Sequence, residues 1–245
     1  MPGRISQIED LGTILGIWAH PDDETWACAG VMSRAIGNGQ KVACIMATKG
    51  GSGKTADAKK WPKINLDRIR ETELGKALSI IGVHDLYWLG YNDGHLAEAD
   101  SSKAVAKLTA LIDKIAPDTI ITFEPKGITG HQDHKTVCAW TCSAVKKTGC
   151  RPVVYGACET KERYISAGRD CHDQFGIYFR AAKPFNLPEK HGDLLLKLSR
   201  AEARQKMAAL KAHESQTAGF FEAPIGRKYL KKLCAVECFV KLVEK

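Results

Sequence analysis

The chain has 245 residues, of which 44% are hydrophobic and 26% charged, and its formal net charge is +8. No apolar run approaches the roughly 20 residues that a membrane span needs, and the N-terminal stretch lacks the apolar segment of a signal peptide. The basic residues are scattered rather than massed on one predicted face, which favours a solvated basic surface and gives no reason to expect a nucleic-acid partner.

The predicted elements alternate between strands and helices along the chain. Short apolar runs predict buried strands, and amphipathic stretches between them predict helices. The predicted strands are 13–19, 41–48, 85–90, 118–125, 152–159 and 173–180, and the predicted helices are 25–39, 65–83, 101–117, 131–147 and 193–213. This alternation predicts an α/β fold, a single Rossmann-like three-layer domain over residues 1–245 with a mostly parallel sheet. Its active site is expected at the C-terminal ends of the strands.

The nine cysteines form no C-x-x-C motif. Cys138 and Cys142 lie four apart on a predicted helix, where such spacing is typical of packing. Free, mostly buried thiols fit a reducing compartment, so we expect a cytoplasmic protein. The sequence leaves the oligomeric state open, including a homo-oligomer.

A glycine-rich loop, "GGSGKT", follows the second predicted strand. It resembles the end of a phosphate-binding P-loop, but that pattern needs a further glycine at the position that Thr48 occupies. A P-loop-like nucleotide binder is therefore kept only as an alternative.

Two polar segments follow the first and fourth predicted strands, so both should lie on the same edge of the sheet. In "AHPDDE", one helical turn brings Asp23 back beside His20, and in "HQDH" His131 and His134 are also three apart. His20 and Asp23, together with one of the later histidines, would give three mixed ligands, which is typical of a catalytic zinc site. Asp22 adjoins this set and is a candidate base for a metal-activated water.

The same segments are similar to motifs of the PIG-L/LmbE-like family of zinc-dependent de-N-acetylases. "AHPDDE" and "GHQDH" carry most of the resemblance, and "TKGGSG", "RIRETELGKALSIIGV", "LGYNDGHL" and "LKAHESQ" follow the family pattern in the same order. The resemblance covers most of the chain. It implies a zinc-dependent hydrolase that removes the acetyl group from an N-acetylated amino sugar or its conjugate, a small-molecule substrate of the N-acetylglucosamine type.

Individual roles follow from this resemblance. It implies His20, Asp23 and His134 as ligands of Zn²⁺, although Fe²⁺ can share such ligands. It implies Asp22 as the general base and His131 as general acid or oxyanion stabiliser. Asp133 is then expected to orient a histidine, and Arg68 and Asp93 to contact the sugar.

Several features leave other interpretations open. Arg68 also suits an exposed helical ion pair, and Asp93 suits a turn in "NDG". Thr129 and Gly51 stand where the family often has tyrosine and glutamate, which bears on substrate choice. His213 is interpreted as capping a helix. A non-catalytic module that binds a metal or a sugar conjugate remains an alternative to the enzyme.

Overall fold

The computed structural model describes residues 7–178 and 185–243. A seven-stranded sheet forms its centre. Its strands are β1 (Ile14–Trp18), β2 (Val42–Thr48), β3 (Asp85–Tyr91), β4 (Thr119–Phe123), β5 (Val153–Ala157), β8 (Leu194–Lys197) and β9 (Val236–Val243). They lie in the order β3-β2-β1-β4-β5-β9-β8. Two short strands, β6 (Glu159–Thr160) and β7 (Asn186–Leu187), pair separately.

The α-helices lie between these strands and at the C-terminal end. They are α1 (Asp23–Gly37), α2 (Leu66–Ile81), α3 (Ser101–Ile115), α4 (Gln132–Val145), α5 (Lys161–Arg163), α6 (Arg169–Phe175), α7 (Arg200–Ala212), α8 (Glu214–Glu222) and α9 (Pro224–Leu233). α1 packs against α2 and α7, and α3 packs against α4, with the sheet between the two groups. The predicted three-layer α/β fold is confirmed.

The strand order places the ends of β1 and β4 side by side. β1 pairs in parallel with β2 on one side and with β4 on the other, and every residue of these three strands is buried. The chain moves outward from β1 to β3 and then returns to the centre as β4. Such a reversal opens a crevice at the carboxyl ends of the two central strands, where ligands bind in open α/β sheets.

Two predicted elements near the C-terminal end are wrong. The sequence predicts one helix over residues 193–213, but Leu194–Lys197 form β8 and the helix begins at Arg200. In β8 the side chains of Leu194 and Leu196 are buried, whereas Leu195 is partly buried and Lys197 is exposed, which is the alternation of a strand. The leucine run is compatible with a helix or a strand, and only pairing with β9 distinguishes the two. The predicted elements do not include β9.

The strand predicted at 173–180 is also absent from the described part of that segment. Asp173 and Phe175 belong to α6, which ends at Gly176 in the left-handed conformation with φ 66°. Glycine adopts this conformation without a steric penalty and commonly follows the last helical residue. Residues 179 and 180 lie outside the described residues.

The cysteines behave as the sequence predicts. All nine lie in the described part of the chain as free thiols, seven buried and two partly buried. In the ranges 7–178 and 185–243, no helix has both the length and the apolar character required to cross a membrane.

An ion pair between Arg34 and Glu202 connects α1 to the start of α7. The Glu202 carboxylate accepts the backbone N–H of Ser199 at 2.7 Å as part of a capping box. It also accepts two hydrogen bonds from the Arg34 guanidinium, at 2.6 and 2.7 Å. The Arg34 guanidinium is the main cause that lowers the pKa of Glu202 from its ordinary 4.5 to about 2.

We predict that Glu202→Gln lowers the free energy of unfolding at pH 7 by about 1 kcal/mol, since the pair is partly exposed to solvent. A carboxylate whose pKa is depressed in the fold stabilises it above the unfolded pKa and loses that effect as the pH falls through the folded value. Wild type should therefore lose more stability than the variant between pH 4.5 and 2. Urea unfolding at pH 7, 4.5 and 3 measures this, and parallel curves for the two proteins would contradict it.

Candidate active site

The loop between β1 and α1 brings His20 and Asp23 together. The backbone N–H of His20 donates to Asp23 Oδ2 at 2.7 Å, which closes the turn predicted from the spacing. His20 Nδ1 lies 3.4 Å from the same carboxylate oxygen. Both side chains are buried at the carboxyl end of β1, so their orientation is fixed by the fold.

His134, in the first turn of α4, completes this group. Its Nε2 lies 3.3 Å from His20 Nδ1 and 3.3 Å from Asp23 Oδ1. Its ring stacks on Phe123 at the end of β4, with ring centroids 4.0 Å apart. The structure thus places His20, Asp23 and His134 within reach of a single ion. The two clusters that are 114 positions apart in sequence converge as expected.

The hydrogen bonds of His20 and His134 determine which ring nitrogen of each is unprotonated and could bind an ion. His134 Nδ1 lies 3.0 Å from the Gly127 carbonyl, and His20 Nε2 lies 3.2 Å from Asp133 Oδ2. Because a carbonyl and a carboxylate can only accept, the protons are assigned to these two nitrogens. His134 Nε2 and His20 Nδ1 then face each other as two acceptors beside a carboxylate. This donor set fits a divalent cation.

Several carboxylates surround His20 and change its pKa. Burial would lower the pKa of His20, but hydrogen bonds to Asp133, Asp23 and Asp93 raise it well above its ordinary value. Burial raises the pKa of Asp23, but the contacts with His134 and His20 together hold it well below its ordinary value. The carboxylates therefore favour a positive charge at this centre, carried either by a second proton on His20 or by a bound cation that replaces this proton.

Asp133 fixes the position of His20. Its side chain is fully buried and accepts the backbone N–H groups of Gly94 at 2.7 Å and Leu96 at 3.2 Å while contacting His20 Nε2. A carboxylate on the far nitrogen of a ligating histidine fixes its tautomer and orientation. This contact is the one expected for Asp133.

A second group of three, His20, His131 and Asp133, also lies within reach of one ion. The Asp133 carboxylate is occupied by two backbone N–H groups, and His131 Nδ1 accepts the Asp133 N–H at 3.1 Å. His131 caps α4 in this way, and its proton is assigned to Nε2. The ring centroid of His131 lies 4.8 Å from that of His20, so a donor lies beside the group formed by His20, Asp23 and His134.

Asp22 has an unusual backbone. It precedes α1 with φ 110° and ψ −32°, a conformation that residues with a side chain rarely adopt. Such strain persists only where the surroundings impose it, and it is frequent at functional sites. Burial raises the pKa of Asp22, and the nearby charge of Arg70 only partly offsets this rise, so the net pKa is about 6. Arg70 Nη2 lies 3.2 Å from Asp22 Oδ1.

Asp93 lies between this centre and a cavity. Its Oδ1 is 3.0 Å from His20 Nε2, and its Oδ2 accepts the Ser52 N–H at 2.8 Å. Burial alone would raise the pKa of Asp93, but the contact with His20 holds this pKa well below its usual range. The cavity has a volume of about 900 Å³, and its lining includes Lys49, Gly51, Trp88, Tyr91 and Asp93. A pocket of this size accommodates a small molecule.

Comparison with known proteins identifies the family. The model of the family PIG-L, described as GlcNAc-PI de-N-acetylase, matches residues 15–145, just over half of the 245 residues. The chain belongs to the PIG-L family. The resemblance predicted from "AHPDDE" and "GHQDH" is confirmed, and the matched range contains the whole convergent group.

Curated relatives of this PIG-L family member act on different conjugates. A 1D-myo-inositol 2-acetamido-2-deoxy-alpha-D-glucopyranoside deacetylase from Mycobacteroides abscessus is 32% identical over 152 residues, 54% of this chain and 54% of that protein. The "Probable N-acetyl-alpha-D-glucosaminyl L-malate deacetylase 2" from Bacillus cereus is 30% identical, covering 63% of this chain and 71% of that protein. The first match therefore spans about half of the relative's length.

A solved structure confirms the fold of this PIG-L family member. The conserved protein TT1542 from Thermus thermophilus superposes with a TM-score of 0.67 and covers 94% of each chain at 21% identity. At this identity the match shows that the two chains share a fold.

The structure also reveals an arginine that the sequence interpretation missed. Arg68 is exposed on α2, whereas Arg70 is buried and contacts Asp22, the Gly50 carbonyl and the Pro21 carbonyl. Both arginines start an R-x-x-E pattern, with Glu71 and Glu73 respectively. The helical face would have distinguished them, because Arg70 lies four positions from Leu66 and from Leu74, which are buried on that face. A sugar contact from Arg68 stays a prediction.

The position of Arg70 explains the glycine-rich loop. Gly50 has φ 71°, and a Cβ at this position would lie 2.3 Å from the Arg70 guanidinium. The next α-helix, α2, begins only at Leu66, so the loop does not lead directly into a helix N-terminus as a P-loop does. Gly50 is required for contact with Arg70, whereas Gly51 lines the cavity.

Proposed function

We propose that this protein is a zinc-dependent hydrolase that removes the acetyl group from an N-acetylated amino sugar conjugate. The observation that carries the proposal is the convergence of two imidazole acceptors and one carboxylate beside Asp22, at the edge of a cavity. Family membership and the deacetylase names of the relatives support the same reaction.

His20, Asp23 and His134 would hold the ion, in keeping with the donor set described above. A divalent ion at this position would polarise the acetyl carbonyl and lower the pKa of water enough for attack near neutral pH. Two nitrogen ligands and one oxygen ligand suit zinc. Because iron(II) can bind the same ligands, the identity of the metal as zinc is itself part of the proposal.

The remaining residues supply proton transfer and charge stabilisation. Asp22 accepts a proton from the attacking water, and its partner Arg70 fixes the carboxylate in place. His131, with its proton assigned to Nε2, donates to the acetyl oxygen as negative charge develops there, or protonates the departing nitrogen. Water and the amide yield acetate and a free amine.

Substrate recognition is assigned to the cavity beside Asp93. Asp93 accepts from Ser52 and contacts His20, so it joins the sugar pocket to the metal centre. Lys49 lies with its Nζ 5.7 Å from the Trp88 ring on the wall of this cavity. The volume beyond Asp93 exceeds what an acetamide needs, which supports a sugar carrying a further group.

The strained backbone of Asp22 favours an enzyme over a module that only binds a metal or a sugar conjugate. The Asp22 carboxylate contacts Arg70 and is not one of the three proposed ligands, so metal binding alone gives this side chain no role. A general base held beside the reacting water gives a reason for the strain.

The test is a fluorescamine assay for newly formed amine with zinc-loaded protein. The panel comprises N-acetylglucosamine joined to inositol, to malate and to a second N-acetylglucosamine, with free N-acetylglucosamine for comparison. We expect amine and acetate in equal amounts from at least one conjugate, and none with His20→Ala. Absence of amine from the whole panel with metal-replete protein would contradict the proposal.

A further inference from the structure

The side chain of His213 is buried and takes no part in the mechanism proposed above. His213 stands between α7 and α8, and its backbone N–H donates to the Leu210 carbonyl. From the sequence, it is instead the imidazole that is expected at the C-terminal end of the helix. The imidazole, however, points away from the helix end, towards the start of α1. Its Nε2 lies 3.2 Å from Glu24 Oε1 and 3.3 Å from Thr25 Oγ1.

Glu24 links His213 to the backbone of Asp22. Glu24 is fully buried; its Oε1 faces His213 and Thr25, and its Oε2 accepts the Asp22 N–H at 3.0 Å. The hydrogen-bonded connection therefore runs from the junction of α7 and α8, through one carboxylate, to the amide of the strained residue. The carboxylate that holds this amide is itself held by His213.

The backbone of Asp22 needs such a contact. With φ 110° the peptide before Asp22 is rotated out of the orientation that a normal helix start would give it. The Asp22 N–H is satisfied by Glu24 Oε2, and the Asp22 carboxylate by Arg70. If Glu24 moved, the Asp22 amide would lose its acceptor and the side chain would lose its direction.

We propose that His213 is a positioning residue for the candidate base: it holds Glu24, which fixes the Asp22 amide and so aims the Asp22 carboxylate. This inference rests on the proposed function, because it assigns Asp22 to the hydrolytic step. It makes the C-terminal helices part of the site, although they lie beyond residues 15–145, which match the family model. His213 acts only through Glu24 and needs no contact with substrate.

A purely structural role is the competing explanation, because removing any buried polar side chain from this junction destabilises it. Thr217 offers a matched control. Its hydroxyl is fully buried at the same junction and donates to the Leu210 and His213 carbonyls. Thr217→Val should loosen the junction of α7 and α8 without removing the donor to Glu24.

The experiment compares His213→Leu, His213→Gln and Thr217→Val as zinc-loaded proteins. Leucine fills the space but cannot donate, whereas the glutamine amide can take the place of Nε2. We expect His213→Leu to lower kcat roughly 10- to 100-fold with KM within about twofold and zinc content unchanged, as for other residues that orient a reacting group. His213→Gln should recover most of kcat, and Thr217→Val should keep the wild-type kcat even if its Tm falls equally.

Equal kcat values for His213→Leu and Thr217→Val, or equal losses for the leucine and glutamine variants, would overturn the inference. Should His213→Leu fail to fold, the shorter His213→Asn carries the same expectation. A crystal structure of the folded variant separates this test from that of the proposed function. Retention of the Asp22 backbone at φ near 110° without the His213 donor would refute positioning, whether or not the wild type hydrolyses the panel.

Discussion

Asp22→Asn is expected to retain zinc and to lose hydrolysis by roughly 10²- to 10⁴-fold in kcat, the range that general base catalysis contributes. Asparagine has nearly the same shape as aspartate, and its Oδ1 can still accept from Arg70, which lies 3.2 Å from Asp22 Oδ1. What it lacks is the ability to take a proton from water. The loss corresponds to about 3–5.5 kcal/mol of transition-state stabilisation.

The measurement combines steady-state amine release with zinc content by mass spectrometry. Asp113→Asn is a suitable control, because Asp113 is an exposed carboxylate of α3 that accepts the Gly149 N–H at 2.9 Å and lies outside the proposed site. The control should match wild type in both readouts. If Asp22→Asn retained kcat within threefold of wild type, another group would have to be the base.

The sequence predicts the central part of this fold well because local and long-range signals agree there. β1, β2 and β4 are continuous apolar runs, as expected for strands that are buried on both faces, and polar residues begin where the runs end. His20 and His134 can be assigned to the same edge of the sheet from the sequence alone, since parallel strands end on one side.

The predictions are wrong where a pattern has two structural solutions. "DLLLKLS" suits a helix or a strand, and only its antiparallel pairing with β9 selects the strand. Arg68 and Arg70 both fit an R-x-x-E pattern, but two positions along a helix place them on nearly opposite faces. Burial of the Arg70 face identifies the arginine that contacts Asp22.

Other parts of the site depend on contacts for which the sequence carries no local signal. The φ of Asp22 is positive although aspartate at a helix start is ordinarily extended. Glu24 looks like a residue that favours a helix N-terminus, yet it joins Asp22 to a histidine 189 positions away. A pairing over this separation becomes visible only when the C-terminal helices are placed against α1.

Exchanging the two histidines of "HQDH" for alanine, one at a time, is expected to give opposite results for metal binding. His134→Ala removes a nitrogen that lies 3.3 Å from both His20 and Asp23, so zinc affinity should fall by at least roughly 100-fold, and hydrolysis to background. His131→Ala should keep the ion and lose only the donor beside the acetyl oxygen, with kcat lowered by roughly 10²- to 10³-fold.

If the ion were instead bound by the second group, His20, His131 and Asp133, the two variants would give the opposite result. His131→Ala would then lose zinc and His134→Ala would retain it. The structure argues against that group, since Asp133 already accepts from Gly94 and Leu96. Competition with a chromophoric zinc chelator measures affinity in each variant, and exposed His84→Ala controls for the loss of a histidine as such. Loss of zinc from His131→Ala, with retention in His134→Ala, would move the metal centre towards Asp133 and leave Asp23 without its proposed role.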